Sequence, residues 1–302
     1  MRILVFGAES FLGRRLASSL NDAGWAAAVE CQANTSLREL HAKLDNVDGV
    51  VNATMGGHRE IEAAARLLYP ALRIRAPQAR IVQMSSTTVY GTGDGTFDES
   101  SPPPAQLGAY ALAHLEAEGI ALRFERAVVL RAGVEYGPSC VQWSLRVAQW
   151  LRQRRLGDLG WGGNGRCNLI YIDDLIAAIS AGLRAPLPED RVFNLVMGTP
   201  PTWSQYIAGF AHELGVSPLK PMSERRWNLE TRLLAAPLKV AEIAAARLHI
   251  HRLSIPPAIP PSFRRLCAQD IRIGVQRAES HLGMHWTSLA AGLKTTALSI
   301  RV

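Results

Sequence analysis

Lysine is nearly missing from this chain of 302 residues. Of its 33 basic side chains only Lys43, Lys220, Lys239 and Lys294 are lysines, and none falls between Lys43 and Lys220. Arginine carries the rest in short scattered groups such as Arg14-Arg15, Arg225-Arg226 and Arg264-Arg265, and the net charge is +7. A nucleic-acid binder concentrates its charge on one helix or loop. Scattered arginine reads instead as a solvated surface, so no nucleic-acid partner is expected. Cysteine is also scarce. Cys31, Cys140, Cys167 and Cys267 form no C-x-x-C pair, which argues against a zinc ribbon or a disulfide framework and makes a reduced, cytoplasmic protein the default. Long apolar runs are lacking too. The longest stretch free of Asp, Glu, Lys and Arg, residues 192–212, contains Asn194, Pro200, Pro201, Ser204 and Gln205, so no integral membrane segment is expected. The first apolar run, Ile3 to Phe6, stops at Gly7 and is not read as a secretory signal. What remains is 48% hydrophobic and 20% charged, the balance of a packed chain. It is long enough for one large domain or two joined ones.

The first half alternates between two periodicities. Ile3–Phe6, Ala26–Val29, Val50–Ala53, Arg80–Met84 and Ala127–Leu130 are short continuous apolar runs, the signature of strands buried on both faces. Between them, Ser10–Leu20, Glu60–Leu72 and Tyr110–Gly119 read as helices. This order predicts an α/β fold with a doubly wound parallel sheet of Rossmann type. Ligands of such sheets bind beyond the carboxyl ends of the strands, so the informative residues are those just after each strand.

After the first strand comes Gly7-Ala8-Glu9-Ser10-Phe11-Leu12-Gly13. A tight strand-to-helix turn of small residues presents backbone N–H groups and the positive helix end to a pyrophosphate. Gly7 and Gly13 are two of the expected small positions; Ser10 stands where glycine is commoner. Ser85-Ser86-Thr87-Thr88-Val89-Tyr90-Gly91 follows another strand, and Tyr110 opens a helix after Pro102–Pro104. Together with Leu130-Arg131, Tyr136-Gly137-Pro138, Tyr171-Ile172-Asp173-Asp174, Phe193-Asn194-Leu195 and the Gln276–Leu293 region, these segments resemble, in order and spacing, the extended short-chain dehydrogenases of the NAD-dependent epimerase/dehydratase family.

The resemblance implies a dinucleotide-binding domain over residues 1–135, to which segments near 167–180 and 192–198 return, and a smaller substrate-binding part over 136–302. It implies NAD or NADP as cofactor and hydride transfer at a secondary alcohol or ketone of a small molecule, sugar-nucleotide-like or apolar. Tyr110 would be the acid/base and Ser86 its hydroxyl partner, with Ser85 second choice. Ser10, Phe11, Leu12 and the two glycines would meet the pyrophosphate, Asn52, Ala53 and Thr54 would line the nucleotide, and Glu30 is the candidate for the ribose, with Arg14 and Arg15 open to a 2′-phosphate.

The chain departs from the family where it matters most. The family's lysine one turn after the tyrosine is His114 here. Positions i and i+4 share a helix face, so His114 can still sit beside Tyr110, but an imidazole of ordinary pKa about 6.5 lacks the steady charge that would favour tyrosinate. Three readings follow: a working oxidoreductase or epimerase, better suited to reduction; a site repurposed for non-redox acid/base chemistry such as elimination or isomerisation; or a catalytically silent nucleotide-binding regulator.

The second half is less specific. Arg166 stands one residue from the place of the family's diphosphate-binding arginine, which Cys167 holds. The glycine-rich loop 157–165 with Trp161 is expected to border the pocket. A helical stretch from Arg225 to Arg252, broken at Pro237, could cover an apolar substrate, touch a membrane or dimerise. Trp143 and Trp150, seven apart, read as core or as a homodimer face. Asp173-Asp174 reads as a helix cap. His249 and His251 lack a third ligand of suitable spacing, so no metal is expected.

Overall fold

Every residue of Ile3–Phe6 is buried, yet alternate side chains enter different cores: Ile3 and Val5 join one hydrophobic cluster, Leu4 and Phe6 another. That period of two, apolar on both faces, marks a strand inside a sandwich of helices. The computed structural model describes residues 1–22, 25, 28–31, 35–54, 56–247 and 255–301.

Its first half runs β1 (Ile3–Phe6), α1 (Phe11–Asp22), β2 (Ala28–Cys31), α2 (Leu37–Leu44), β3 (Gly49–Asn52), α3 (His58–Arg75), β4 (Arg80–Ser86), β5 (Gly95–Phe97), α4 (Ala109–Ala121) and β6 (Ala127–Ala132). The second half adds β7 (Val134–Tyr136), α5 (Arg146–Arg152), β8 (Leu169–Tyr171), α6 (Ile172–Arg184), β9 (Val192–Leu195), α7 (Trp203–Glu213), α8 (Glu224–Asn228), α9 (Ala235–Arg247), α10 (Pro261–Ala268), β10 (Ile271–Ile273), α11 (Gln276–Leu282) and α12 (Leu289–Arg301).

Six strands form one parallel sheet in the order β2-β1-β3-β4-β6-β9. Leu12, Leu16 and Leu20 of α1 pack with Leu175, Ile176 and Ile179 of α6 in one core. On the other, Leu40 of α2, Ile61 and Leu68 of α3, and Ala113 and Ala117 of α4 come together. The fold is therefore the doubly wound α/β class that the periodicity predicts. Chain order reverses at β1, between β2 and β3, the kind of point beyond which ligands of such sheets bind. Two short parallel pairs, β7 with β8 and β10 with β5, lie outside the main sheet.

Several local expectations need correction. The break in the Arg225–Arg247 stretch falls near Leu234, ahead of Pro237, which sits in the first turn of α9 where its missing N–H costs nothing. Asp173 and Asp174 lie inside α6, whose cap is Tyr171. They act as tethers instead: Asp173 pairs with Arg15 at 3.1 Å, and Asp174 accepts from the backbone N–H and hydroxyl of Thr287. The Gln276–Leu293 region is two helices, because Gly283 takes a left-handed conformation (φ 63°) that ends α11. Trp150 is core, its indole donating to the Pro257 carbonyl. His249 and His251 lie outside the described residues. Among the described residues no helix is long and apolar enough to cross a membrane, and no group of three His, Cys, Asp or Glu is placed to hold a metal.

Candidate functional site

The glycine-rich turn is built so that nothing larger fits. A Cβ on Gly7 would lie 2.7 Å from the Thr54 backbone nitrogen, at a φ of +83° that side chains avoid, and one on Gly13 would lie 2.3 Å from the Gly7 carbonyl. Strand β1, the loop after β3 and the start of α1 are thereby pressed together. Ser10 caps α1. Its hydroxyl accepts from Gly13 N–H at 2.9 Å and donates to the Ala53 carbonyl at 3.1 Å. The N–H groups of Phe11 and Leu12, at the first helical positions, have no carbonyl one turn back to bond. They are open donors at the positive end of the helix dipole.

The other nucleotide-side candidates are placed less directly. Asn52 is buried and spends its amide inward, donating to Gln83 at 2.9 Å and accepting from the Thr54 hydroxyl at 2.8 Å. Ala53 is buried, and Thr54 lies against Gly7. These three form the wall behind the turn. Glu30 pairs in register with Val5, one residue before the end of β2, but its side chain lies outside the described part. Arg14 folds back to donate to the Glu9 carbonyl, and Arg15 is held by Asp173.

At the same edge of the sheet lie Ser86, where β4 stops, and Tyr110, in the first turn of α4. Ser86 closes β4 in register with Ala132, the last residue of β6. Its hydroxyl oxygen accepts from the N–H and the hydroxyl of Thr88, at 3.2 and 3.1 Å, which leaves the Ser86 proton free to donate. Ser85 is the poorer candidate, because it is buried and donates to Glu118 at 2.5 Å. Tyr110 occupies the first turn of α4, half-buried. Burial, then the nearby Glu135 carboxylate, push its phenol up to about 12.

His114 is 2% exposed and stands edge-on to the Tyr110 ring, the centroids 4.6 Å apart. Neither ring nitrogen has a hydrogen-bond partner. Burial pulls its pKa down to about 4, against the upward pull of Glu118. The imidazole is therefore neutral at pH 7, and it supplies Tyr110 with neither a charge nor a hydrogen bond.

Below the crevice the motif residues are wired to each other. Arg131 clamps Glu118 through two nitrogens, at 3.0 and 2.8 Å, and donates to the Tyr90 hydroxyl at 2.9 Å. Tyr90 donates to Asn194 at 2.7 Å, and Asn194 donates to the Gly274 carbonyl. One buried network thus joins β4, α4, β6, β9 and the loop after β10, and accounts for the ordered recurrence of these residues by structure alone.

One site residue escaped the sequence reading. Glu135 lies in β7, three residues past Ala132, half-buried, inside a motif read for its apolar and aromatic members. Burial raises its carboxyl from 4.5 to about 7. A carboxylate between Val134 and Tyr136, just past a sheet strand, was the available signal. Among the described residues it has no hydrogen-bonding or ionic side-chain partner.

On the substrate side, Arg166 is engaged by Asp270 at 3.3 Å. Trp161 is 92% exposed, its ring given over to solvent. A shallow depression of about 670 Å³ lies at the opposite, amino-terminal edge of the sheet, lined by Met1, Asp48, Arg75 and Arg126; none of the candidate residues faces it.

A model of the family described as NAD dependent epimerase/dehydratase matches residues 3–195. The Escherichia coli (strain K12) protein YeeZ is 27% identical over 237 residues, covering 69% of this chain and 82% of YeeZ. Among solved structures, human epimerase family protein SDR39U1 with NADPH superposes with a TM-score of 0.75 at 19% identity, over 99% of each chain. MoeE5 in complex with UDP-glucuronic acid and NAD gives 0.72 at 21%, over 100% of this chain and 99% of that one.

Proposed function

From the premise that this chain belongs to the NAD dependent epimerase/dehydratase family, we propose that it binds NAD or NADP and transfers hydride at a secondary alcohol or ketone of a small molecule. Residues 1–135, with the segments that rejoin the sheet, hold the nucleotide, and the remainder receives the substrate.

Two features fit the cofactor. Gly7 and Gly13 admit no Cβ because the chain itself packs against them, and the turn they close offers the Phe11 and Leu12 N–H groups to a pyrophosphate. His114 keeps two partnerless nitrogens buried behind Tyr110, and a bound ribose hydroxyl would satisfy one of them. When bound, the nicotinamide supplies the hydride chemistry. The chain supplies the rest. Ser86 donates its free proton to the reacting oxygen, Tyr110 exchanges a proton with that oxygen, and the Arg131–Glu118 network keeps both strand ends in place. A phenol held near pH 12 stays protonated at neutrality, which suits it to donate to a ketone.

The observation that carries this reading is the convergence of Ser86, Tyr110 and the glycine turn at one edge of the sheet. The substrate is proposed to be sugar-nucleotide-like or apolar. The engagement of Arg166 by Asp270 weighs against a diphosphate held there. The test is titration of the purified protein with NAD, NADH, NADP and NADPH, read by thermal shift and tryptophan fluorescence. Binding of one pair, lost in Gly13→Ala and kept in Tyr110→Phe, is the expected result; no response to any of the four sinks the redox reading. Non-redox acid/base chemistry is the second reading, favoured by the neutral His114. It predicts turnover with no nicotinamide absorbance change.

A further inference from the structure

A surface helix ordinarily turns its apolar stripe to the core and its charges to water. The stretch from α8 through the wide turn Leu229–Leu233 into α9 does the reverse. Glu230 is 5% exposed and accepts from two nitrogens of Arg155. The Glu242 carboxylate is mostly buried as well and meets Arg146 of α5 at 3.4 Å. Outward stand Leu229, Leu233, Ala236, Val240 and Ile243, with Leu233 67% and Val240 66% exposed. Successive members lie four, three, four and three residues apart, the spacing of one helix side. The backbone stays right-handed helical at Leu229 and Leu234, and the N–H groups of Leu234 and Leu238 donate to the carbonyls of Leu229 and Leu234. The break near Leu234 is thus a bend in a helical backbone.

The charges beside this stripe have one sign. The stretch carries three carboxylates, and each is matched by an arginine from elsewhere: Glu224 by Arg264, Glu230 by Arg155 and Glu242 by Arg146. Arg225 and Arg232 are exposed and have no carboxylate partner among the described residues. Lys239 reaches Glu242 at 2.9 Å and shares it with Arg146, two cations on one carboxylate. What solvent meets is aliphatic and cationic.

A substrate beneath the helix would not cover side chains that point outward. A second copy does so poorly. A two-fold dimer sets the same patch against itself, so Arg232 and Lys239, which directly precede Leu233 and Val240, would meet their own copies with no free carboxylate between them. A bilayer surface with anionic headgroups suits both features, since aliphatic side chains enter the acyl boundary while cations stay at the phosphates.

We propose that the α8–α9 face docks on an anionic lipid surface, with Leu233, Val240 and Ile243 entering the headgroup layer and Arg225, Arg232 and Lys239 meeting its phosphates. The protein then lies on the bilayer without crossing it, whatever reaction its crevice performs.

Vesicle flotation tests this with the whole chain. Phosphatidylcholine vesicles are used with and without phosphatidylglycerol, at low and high salt. The parent protein is expected to float with the phosphatidylglycerol vesicles at low salt, to stay behind with phosphatidylcholine alone, and to be released by salt. Leu233→Asp combined with Val240→Asp is expected to weaken flotation at least about tenfold. Arg232→Gln and Lys239→Gln are expected to cost about fivefold each. All four side chains are exposed, and an unchanged melting temperature shows that the fold is intact; the headgroup and salt dependence of the parent needs no variant. Flotation that survives the double aspartate variant, or that neither headgroup nor salt alters, overturns the proposal. So does a parent chain that floats with neither vesicle; where that chain also sediments as a dimer which Leu233→Asp divides, the face belongs to a second copy.

Discussion

The His114 imidazole meets the Tyr110 ring edge-on, 4.6 Å between centroids and 80° between planes, with both of its nitrogens buried and unbonded. An apolar ring would pack in that place as well, so what the imidazole adds is two polar atoms that folding leaves unsatisfied. Each such atom costs about 1–3 kcal/mol.

Replacing His114 by Phe is therefore expected to stabilise the ligand-free protein by about 1–2 kcal/mol and to weaken nucleotide binding. Urea unfolding and a fluorescence titration check the two halves. A variant both more stable and equally tight in binding would show that His114 never meets the cofactor.

Two buried groups make opposite contributions to the pH dependence of stability. His114 has a folded pKa of about 4 against an ordinary 6.5. Between those values the unfolded chain holds the extra proton, so stability rises with pH, by about 3 kcal/mol across the window. Glu135 has a folded pKa of about 7 against an ordinary 4.5. There the folded chain holds the extra proton, so stability falls as pH rises from 4.5 to 7. The two slopes oppose each other between about pH 4.5 and 6.5. Denaturant midpoints across this range should fall with rising pH more steeply in His114→Phe than in the parent chain. In Glu135→Gln the slope should turn toward a rise with pH. Parallel curves for all three proteins would contradict both assignments.

The Arg131–Glu118 clamp is a buried ion pair with its remaining sites bonded. Removing one partner strands the other charge in the core. Glu118→Gln is expected to cost about 3–5 kcal/mol, and Ser85→Ala, which removes one neighbouring hydrogen bond, about 1 kcal/mol. Equilibrium unfolding measures both. A Glu118→Gln effect as small as that of Ser85→Ala would mean that the clamp carries little of the fold.

In the glycine turn, Ser10→Ala and Gly13→Ala separate capping from contact. Ser10→Ala removes the side-chain cap and should lower stability by about 1 kcal/mol while nucleotide still binds. Gly13→Ala places a methyl group against the Gly7 carbonyl and should abolish binding. Retained binding in Gly13→Ala, measured by thermal shift, would remove this turn from the site.

How much of this was legible beforehand depended on the distance over which the signal acts. β1, β3, β4 and β6 announce themselves as short, mainly apolar runs, because burial on both faces admits a polar side chain only where it is bonded inside, as Asn52, Gln83 and Arg131 are. Their ends drift by a residue or two: β4 runs on through Ser85 and Ser86, whose hydroxyls are bonded to Glu118 and Thr88 and so tolerated in a strand. Pairings that join remote parts of the chain left no trace. Nothing in Gly95–Phe97 or Ile271–Ile273 says that they lie side by side. Nor does the sequence say that Arg166 meets Asp270 or that Trp161 faces away from the fold. Tyr110 and His114 were legible as neighbours because one helix carries both. Glu135 was not, since it approaches Tyr110 from another strand, and only the fold brings the two together.

The pairing of β10 with β5 has a consequence for how such a chain can be divided. The strand at 271–273 completes an edge that begins at residue 95, Asn194 leans on Gly274, and Thr287 holds Asp174. The segment that closes the first half of the chain thus lies far along the sequence from it. A chain cut between residues 135 and 136 would leave the first fragment with two raw strand edges, those of β5 and β6. The two halves are accordingly not interchangeable cassettes, and a graft that swapped one substrate half for another would have to carry its own replacement for these stitches.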